Sequence, residues 1–375
     1  MRLQLAFAAI TATAITTAGT HAVADGSIGM RGVYYKERAT RVMQPMLDGM
    51  FEVGLHGTVE AHVLVDAITS ASTSSGASDT AFSERRYEGG AGYNHDFGTV
   101  RVGAAAKYSD EPDYKSTYGN VHAEMDLAQK NTVIAASLGR SSDEINAGQA
   151  QGLFNPMIAC KASDPLTFSK TCDLATTSFG ASISQVLSRN AVAGLTYDVA
   201  YADGYQANPY RQVLAGLALA PERHPNTRLR QAFGVSARYY LRDSKTTFIG
   251  AYRYYRDDWK VRAQTPELRI VQEVGRVADA AIRYRYYRQT QAFFFQPRYD
   301  SSDVATDPYL TDDTKLSKFD GHTIEAKFGV IGEAFGLEDH WSEARLEGII
   351  EYVVQNNRFG NVIIGHVALT IPFEY

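Results

Sequence analysis

The sequence predicts an all-β fold, a transmembrane antiparallel β-barrel, and three observations carry that prediction. An export signal opens the chain, long segments alternate apolar and polar residues, and the final segment ends on an aromatic residue.

The export signal has three parts in order. Arg2 supplies a positive charge, an uncharged and mostly apolar stretch runs from Leu3 to about Ala18, and Ala22-Val23-Ala24 offers the small-x-small cleavage pattern. Cleavage is expected between Ala24 and Asp25, which delivers the remaining chain to an oxidising compartment. The expected division is 1–24 signal peptide, 25–48 periplasmic N-terminal segment and 49–375 barrel.

Composition agrees with this class. A formal charge of −5 gives no reason to expect a nucleic-acid partner. No run long enough for a membrane helix follows the signal. The chain has 23 Tyr and 17 Phe against 2 Trp, and its 2 Cys are too few for a disulfide-built scaffold. Such a chain is either a soluble sandwich or a membrane barrel, and periodicity has to decide.

From Phe51 to Ala67 one face reads Phe51, Val53, Leu55, Gly57, Val59, Ala61, Val63, Val65 and Ala67. The other face reads Glu52, Gly54, His56, Thr58, Glu60, His62, Leu64 and Asp66. Period-two alternation over this length is a strand signal. Similar alternation recurs at Val100–Ser109, Val121–Leu127, Phe233–Leu241 and Ala344–Tyr352. Apolar residues out and small or charged residues in is the pattern of a membrane barrel. Strands are expected near 49–67, 81–95, 99–110, 117–129, 132–143, 177–188, 191–202, 229–242, 246–257, 260–272, 277–290, 318–332, 342–355 and 360–375. That is about fourteen, with twelve or sixteen also compatible with the segment boundaries. Tight turns around Asp96, Lys130, Arg189 and Asp243 alternate with long connections at 144–176, 203–228 and 291–317. Short periplasmic turns and long external loops fit a bacterial outer-membrane barrel.

The closing segment places Ile363, Gly365, Val367, Leu369, Ile371, Phe373 and Tyr375 on one face. Leu369, Ile371, Phe373 and Tyr375 are the expected assembly signal, read by the barrel-assembly machinery. That machinery and outer-membrane lipid are therefore the expected partners. Cys160 and Cys172 both fall in the longest external connection, where a disulfide is favoured over a redox or metal pair, which normally uses closer spacing.

The expected lumen is charged. Glu52, His56, Glu60, His62, Asp66, Glu124 and Asp126 line the early strands, and Arg230, Arg238, Arg253, Arg283 and Arg285 line the later ones. Opposed walls would set a field across a water-filled pore. The alternative is that the same charges pair and fill the lumen. Glu60, His62 and His56 would hold a metal only if facing strands added ligands, so none is assigned. No Gly-x-Ser-x-Gly, His-Glu-x-x-His or phosphate-loop pattern occurs. His122-Ala123-Glu124 lacks the cysteine pair of the zinc deaminases. No catalytic residue and no cofactor are assigned, and an enzyme is not expected. Asp25 to Leu47 does not read as alternating, and Pro45 is expected to end any regular element, so this stretch reads as a tail, a partner-binding segment or a plug.

Four groups of residues resemble a bacterial family known as domain of unknown function 3570. They are Tyr34-Tyr35-Lys36-Glu37 with Thr40-Arg41-Val42 and Pro45; Glu222-Arg223-His224-Pro225 with Arg228; Tyr252 to Trp259; and Tyr309 to Asp312 with Leu316-Ser317. The resemblance implies an exported outer-membrane barrel without an assigned activity, from genes often found beside redox-linked ones. Together these readings predict a channel or transport component for small polar or ionic solutes. The alternative is a non-catalytic structural or assembly partner in a surface or redox-linked envelope complex.

Overall fold

A computed structural model describes residues 26–38, 40–70, 82–146, 157–161, 163–168 and 170–374. The signal peptide and Tyr375 lie outside the described residues. Sixteen strands close into one antiparallel barrel. In chain order they are β1 (Gly26–Lys36), β2 (Thr40–Val53), β3 (Gly57–Ser70), β4 (Phe82–Asp96), β5 (Val100–Asp110), β6 (Tyr114–Leu127) and β7 (Thr132–Asn146). Two short strands outside the barrel follow, β8 (Met157–Ile158) and β9 (Thr167–Phe168), then β10 (Thr171–Ser188) and β11 (Ala191–Gly204) return to it. A small external hairpin, β12 (Gln212–Ala215) and β13 (Ala218–Pro221), precedes β14 (Thr227–Leu241), β15 (Thr246–Asp257), β16 (Arg262–Val274) and β17 (Ala278–Gln289). The barrel ends with β18 (Phe319–Ile331), β19 (Arg345–Gln355) and β20 (Val362–Phe373).

β20 closes the barrel against β1, with Gly26 opposite Phe373 and Lys36 opposite Ile363. Gly26 and Phe373 therefore sit at one rim, the terminus end, with the turns 54–56, 97–99, 128–131, 189–190 and 242–245. The described residues between β7 and β10 and the long connections 205–226 and 290–318 gather at the other rim, the loop end.

All fourteen expected segments fall on barrel strands, and two strands are added at the N-terminus. The segment 25–48, expected to be periplasmic, forms β1 and most of β2. Pro45 hid them. It lacks an N–H, so β2 loses its ladder to β3 between Met43 and Met46, yet it stays opposite Gly32 of β1. One interrupted side does not end the strand. The alternation of 51–67 likewise crosses a hairpin. Gly54 adopts φ +66° in the turn, and a side chain at Gly57 would meet the Val53 carbonyl at 2.6 Å. His56 belongs to that turn.

Alternation fixes which face meets lipid. Outward residues such as Val63, Ile282 and Val367 stay 57%, 64% and 60% exposed, a band that only hydrocarbon can cover. Exposed aromatics flank the band. Tyr34, Tyr108, Tyr201, Tyr284 and Tyr352 lie toward the loop end, and Phe51, Tyr93, Tyr239 and Phe248 toward the terminus end. The barrel is built to span a membrane.

Candidate functional site

The candidate site is the barrel interior together with the loops over one mouth. The interior has two unlike arcs. From β7 to β14 many inward positions are small, among them Ser137 and Ser141, Ser182 and Ser184, Thr196, and Ser236, although Arg230 and Arg238 also face inward on β14. The remaining arc carries long charged side chains joined in networks. Arg283 contacts Glu325 at 2.5 Å, Glu351 at 3.0 Å and Glu267 at 3.5 Å. Arg101 holds Asp126 at 2.8 Å and also binds Glu124. His62 meets Glu88 at 3.3 Å, Lys107 meets the same carboxylate at 3.4 Å, and Asp66 is buried against Arg86 at 2.6 Å.

The structure thus places eleven of the twelve candidate lining residues on inward positions. Glu52 is half-buried on β2, and Glu60 is exposed and accepts a hydrogen bond from Asn94 at 3.1 Å. Arg230 and Arg238 are half-buried on β14, and Arg285 donates to Thr323 at 3.3 Å. Arg253 is exposed within the lumen and interacts electrostatically with Asp198, also exposed. The exception is His56. It is exposed in the terminus-end turn, its ring 6.1 Å from that of His95, because the chain reverses there instead of continuing as a strand. Glu60 and His62 consequently have no third ligand in His56.

Cys160 and Cys172 form a disulfide across a separation of 12 residues at the loop end. Cys172 opens β10 in a buried cluster with Ile145, Ile158, Leu174 and Ala202.

Over the same mouth the loops 205–226 and 290–318 interlock. Isolated bridges join Ala215 to Tyr299 and Arg223 to Leu310. Val213, Ala215, Ala220, Tyr299 and Leu310 form one buried cluster, and Trp259, Val261, Ala292, Phe294 and Leu316 a second. Their polar core is Arg211, 2% exposed, which lies 3.7 Å from Glu222 and 3.1 Å from Asp313. Glu222 also accepts from the Thr311 hydroxyl at 2.6 Å. Arg223 donates to the carbonyls of Val304 at 2.7 Å and Asp307 at 2.8 Å. Arg228 pairs with Asp257 at 2.6 Å and lies 4.1 Å over the Trp259 ring.

Burial sets the ionisation of this core. It pushes Glu222 up to about 8, against the pull of Arg211. It pushes His224 down to about 4. Burial opposes ionisation of Asp313 as well, but Arg211 and Lys315 outweigh it and hold the carboxyl below its ordinary range. His224 Nδ1 donates to the Gln206 carbonyl at 3.1 Å, which leaves Nε2 facing Glu222 Oε2 at 3.7 Å. The two flank a polar cavity of about 10 Å³, room for one water.

The four groups of residues that resemble one family, far apart in sequence, meet at this rim. Tyr35 donates to Glu37 at 2.8 Å at the top of β1, and Lys315 lies within electrostatic reach of Glu37. Glu222 to Arg228, Trp259 and Tyr309 to Leu316 complete the cap. Arg211, Asp313 and Asp198 were not among the sequence candidates. Arg211 and Asp313 lie in long loops with no periodic signal, and only their convergence marks them; Asp198 lies mid-strand on β11, where alternation does face it inward.

Comparison with known proteins agrees with the architecture. No curated protein sequence matches the chain. Among solved structures, the bacterial polysaccharide outer membrane secretin aligns at a TM-score of 0.56 and 7% identity, covering 94% of this chain and 100% of that one. CdiB from Acinetobacter baumannii aligns at 0.52 and 8% identity, covering 93% of this chain and 61% of that one. The chain thus spans about three fifths of CdiB, and both likenesses concern the barrel fold. The model of the family described as "Protein of unknown function (DUF3570)" matches residues 77–347. With most of the barrel and both cap loops inside that match, though not the Tyr34 to Pro45 group, this membrane-spanning β-barrel belongs to the DUF3570 family.

Proposed function

We propose that the protein is an outer-membrane channel for small polar or ionic solutes, closed at its loop end by an interlocked cap. One observation carries the reading. Thr196, Asp198, Ser236 and Arg253 point into a closed barrel yet remain exposed, so the interior holds water beside the arc of small residues. Side chains alone fill barrels of about eight strands, whereas about sixteen leave an aqueous channel. Much of the charged arc is self-neutralised by its ion pairs, and Asp198, Arg253 and Glu60 are among the exposed charges that a solute would meet. Planar-bilayer recording of the folded full chain tests the proposal, with the cap intact and with its Arg211 latch removed. Discrete conductance steps, more frequent without the latch, are expected. Their absence from both folded proteins would sink it.

A second reading is favoured by the same ion pairs and by the packed cap. The barrel would then be a non-conducting structural or assembly partner in an envelope complex. It predicts silence in the bilayer from both proteins.

A further inference from the structure

The outer wall distributes its cations unevenly. Among the described strands, every Lys or Arg that faces lipid lies in the half nearer the loop end. Terminus-end cations such as Lys130 and Arg189 sit in exposed turns instead.

At one place the outward cations crowd. Arg256 of β15 stands directly opposite Arg262 of β16, and Gln264, the next outward residue of β16, stands opposite Arg288 of β17. Directly opposed residues lie about 5 Å apart, and like charges at that spacing destabilise a sheet. No carboxylate pairs with Arg256 or Arg262 among the described residues. Arg256 Nε donates to the neutral Gln231 at 2.8 Å, and Arg288 lies beside Tyr286 and 3.6 Å from the half-buried Asp320. In the lumen, by contrast, Arg283 is surrounded by three carboxylates. Arg256 and Arg262 instead face each other at the membrane interface.

We propose that the outer wall at the loop ends of β15–β17 binds the phosphate-bearing headgroup of a membrane lipid through Arg256, Arg262 and Arg288. The position favours a lipid over a free ion. The site is continuous with the apolar band through Leu268 and Ile270 of β16, which alternate outward below Arg262. Acyl chains can therefore lie on the band while the headgroup reaches the guanidinium groups. Two guanidinium forks match phosphate oxygens in bidentate fashion, and a phosphate between them removes the like-charge repulsion. The inference does not depend on whether the barrel conducts.

The test uses the full chain in phosphatidylcholine nanodiscs that contain lipid A with two, one or no phosphates, and native mass spectrometry reads the lipid retained. Retention should fall in that order for the unmodified protein. Arg256→Gln with Arg262→Gln should weaken retention of the diphosphorylated lipid roughly 30-fold, about fivefold per arginine. Lys130→Gln with Arg189→Gln removes the same charge at the opposite rim and should retain the lipid normally. Heat-modifiable mobility on gels establishes folding of each variant. Equal retention of phosphorylated and dephosphorylated lipid by the unmodified protein would overturn the proposal without any variant. So would equal losses from the two double variants.

Discussion

Replacing Arg211 by Met should unlatch the cap while leaving the barrel closed. Arg211 is the cation that holds two loops together, at 3.7 Å from Glu222 on one and 3.1 Å from Asp313 on the other. Its side chain is 2% exposed and that of Glu222 0%, so water cannot replace the lost partner without the loops separating. Removing the cation costs about 3–5 kcal/mol, because the ionised Asp313 and the raised Glu222 carboxyl both stay buried without it. That shifts the cap-opening equilibrium by roughly two to three and a half orders of magnitude. The sixteen-strand ladder does not pass through Arg211, so heat-modifiable mobility should be unchanged. Limited trypsin digestion reports the opening, since Arg223 is held in the closed cap by the carbonyls of Val304 and Asp307. Cleavage there should accelerate greatly in the variant. Adding Glu222→Gln and Asp313→Asn removes the stranded charges and should restore most of the protection. Equal protection of Arg211→Met and the unmodified chain would refute the latch. A triple variant no better protected than the single one would refute its electrostatic basis.

Cap stability should depend on pH with a sign set by two residues. Glu222 is raised in the folded cap to about 8, so its contribution is lost as pH rises from its ordinary value through 8. His224 is lowered to about 4, so its contribution grows as pH rises from 4 to its ordinary value. The two oppose each other in mildly acidic solution, and hydrogen exchange in 205–226, corrected for its intrinsic base-catalysed rate, should speed up from about pH 6.5 to 8. Glu222→Gln should abolish that rise; an unchanged profile would remove Glu222 as its source. In the lumen, Arg253→Ser should move reversal potentials in a salt gradient toward cations, and Asp198→Asn toward anions. Both effects should shrink as the screening length falls from about 10 Å at 0.1 M salt to about 3 Å at 1 M. Identical selectivity in the two variants would take these residues out of the ion path. Replacing Cys160 and Cys172 by Ser should cost roughly 3 kcal/mol locally and expose 157–172 to protease, whereas unchanged protection would show that packing alone holds the loop. Deleting Phe373–Tyr375 should leave a degraded periplasmic chain, because Phe373 ends the strand that closes on β1; normal heat-modifiable protein would contradict an assembly role.

By itself the sequence determined the fold class and the facing of the strands. Period-two alternation is local, and lipid selects the apolar face wherever it occurs. Glu60, His62, Asp66 and Arg253 accordingly share the face opposite the outward apolar residues of their strands. Local alternation could not mark the turn at Gly54 to His56, since the pattern passes through it unbroken. Nor could it show that a strand survives Pro45 when the partner on its other side keeps its hydrogen bonds. The tertiary structure alone decided which charges cancel. Arg283 and Arg253 look alike as inward arginines, but strand register sets three carboxylates around the first and leaves the second exposed. The cap is likewise invisible in the chain. Arg211, Glu222 and Asp313 lie on loops separated by four barrel strands, and their meeting depends on closure of the barrel beneath them.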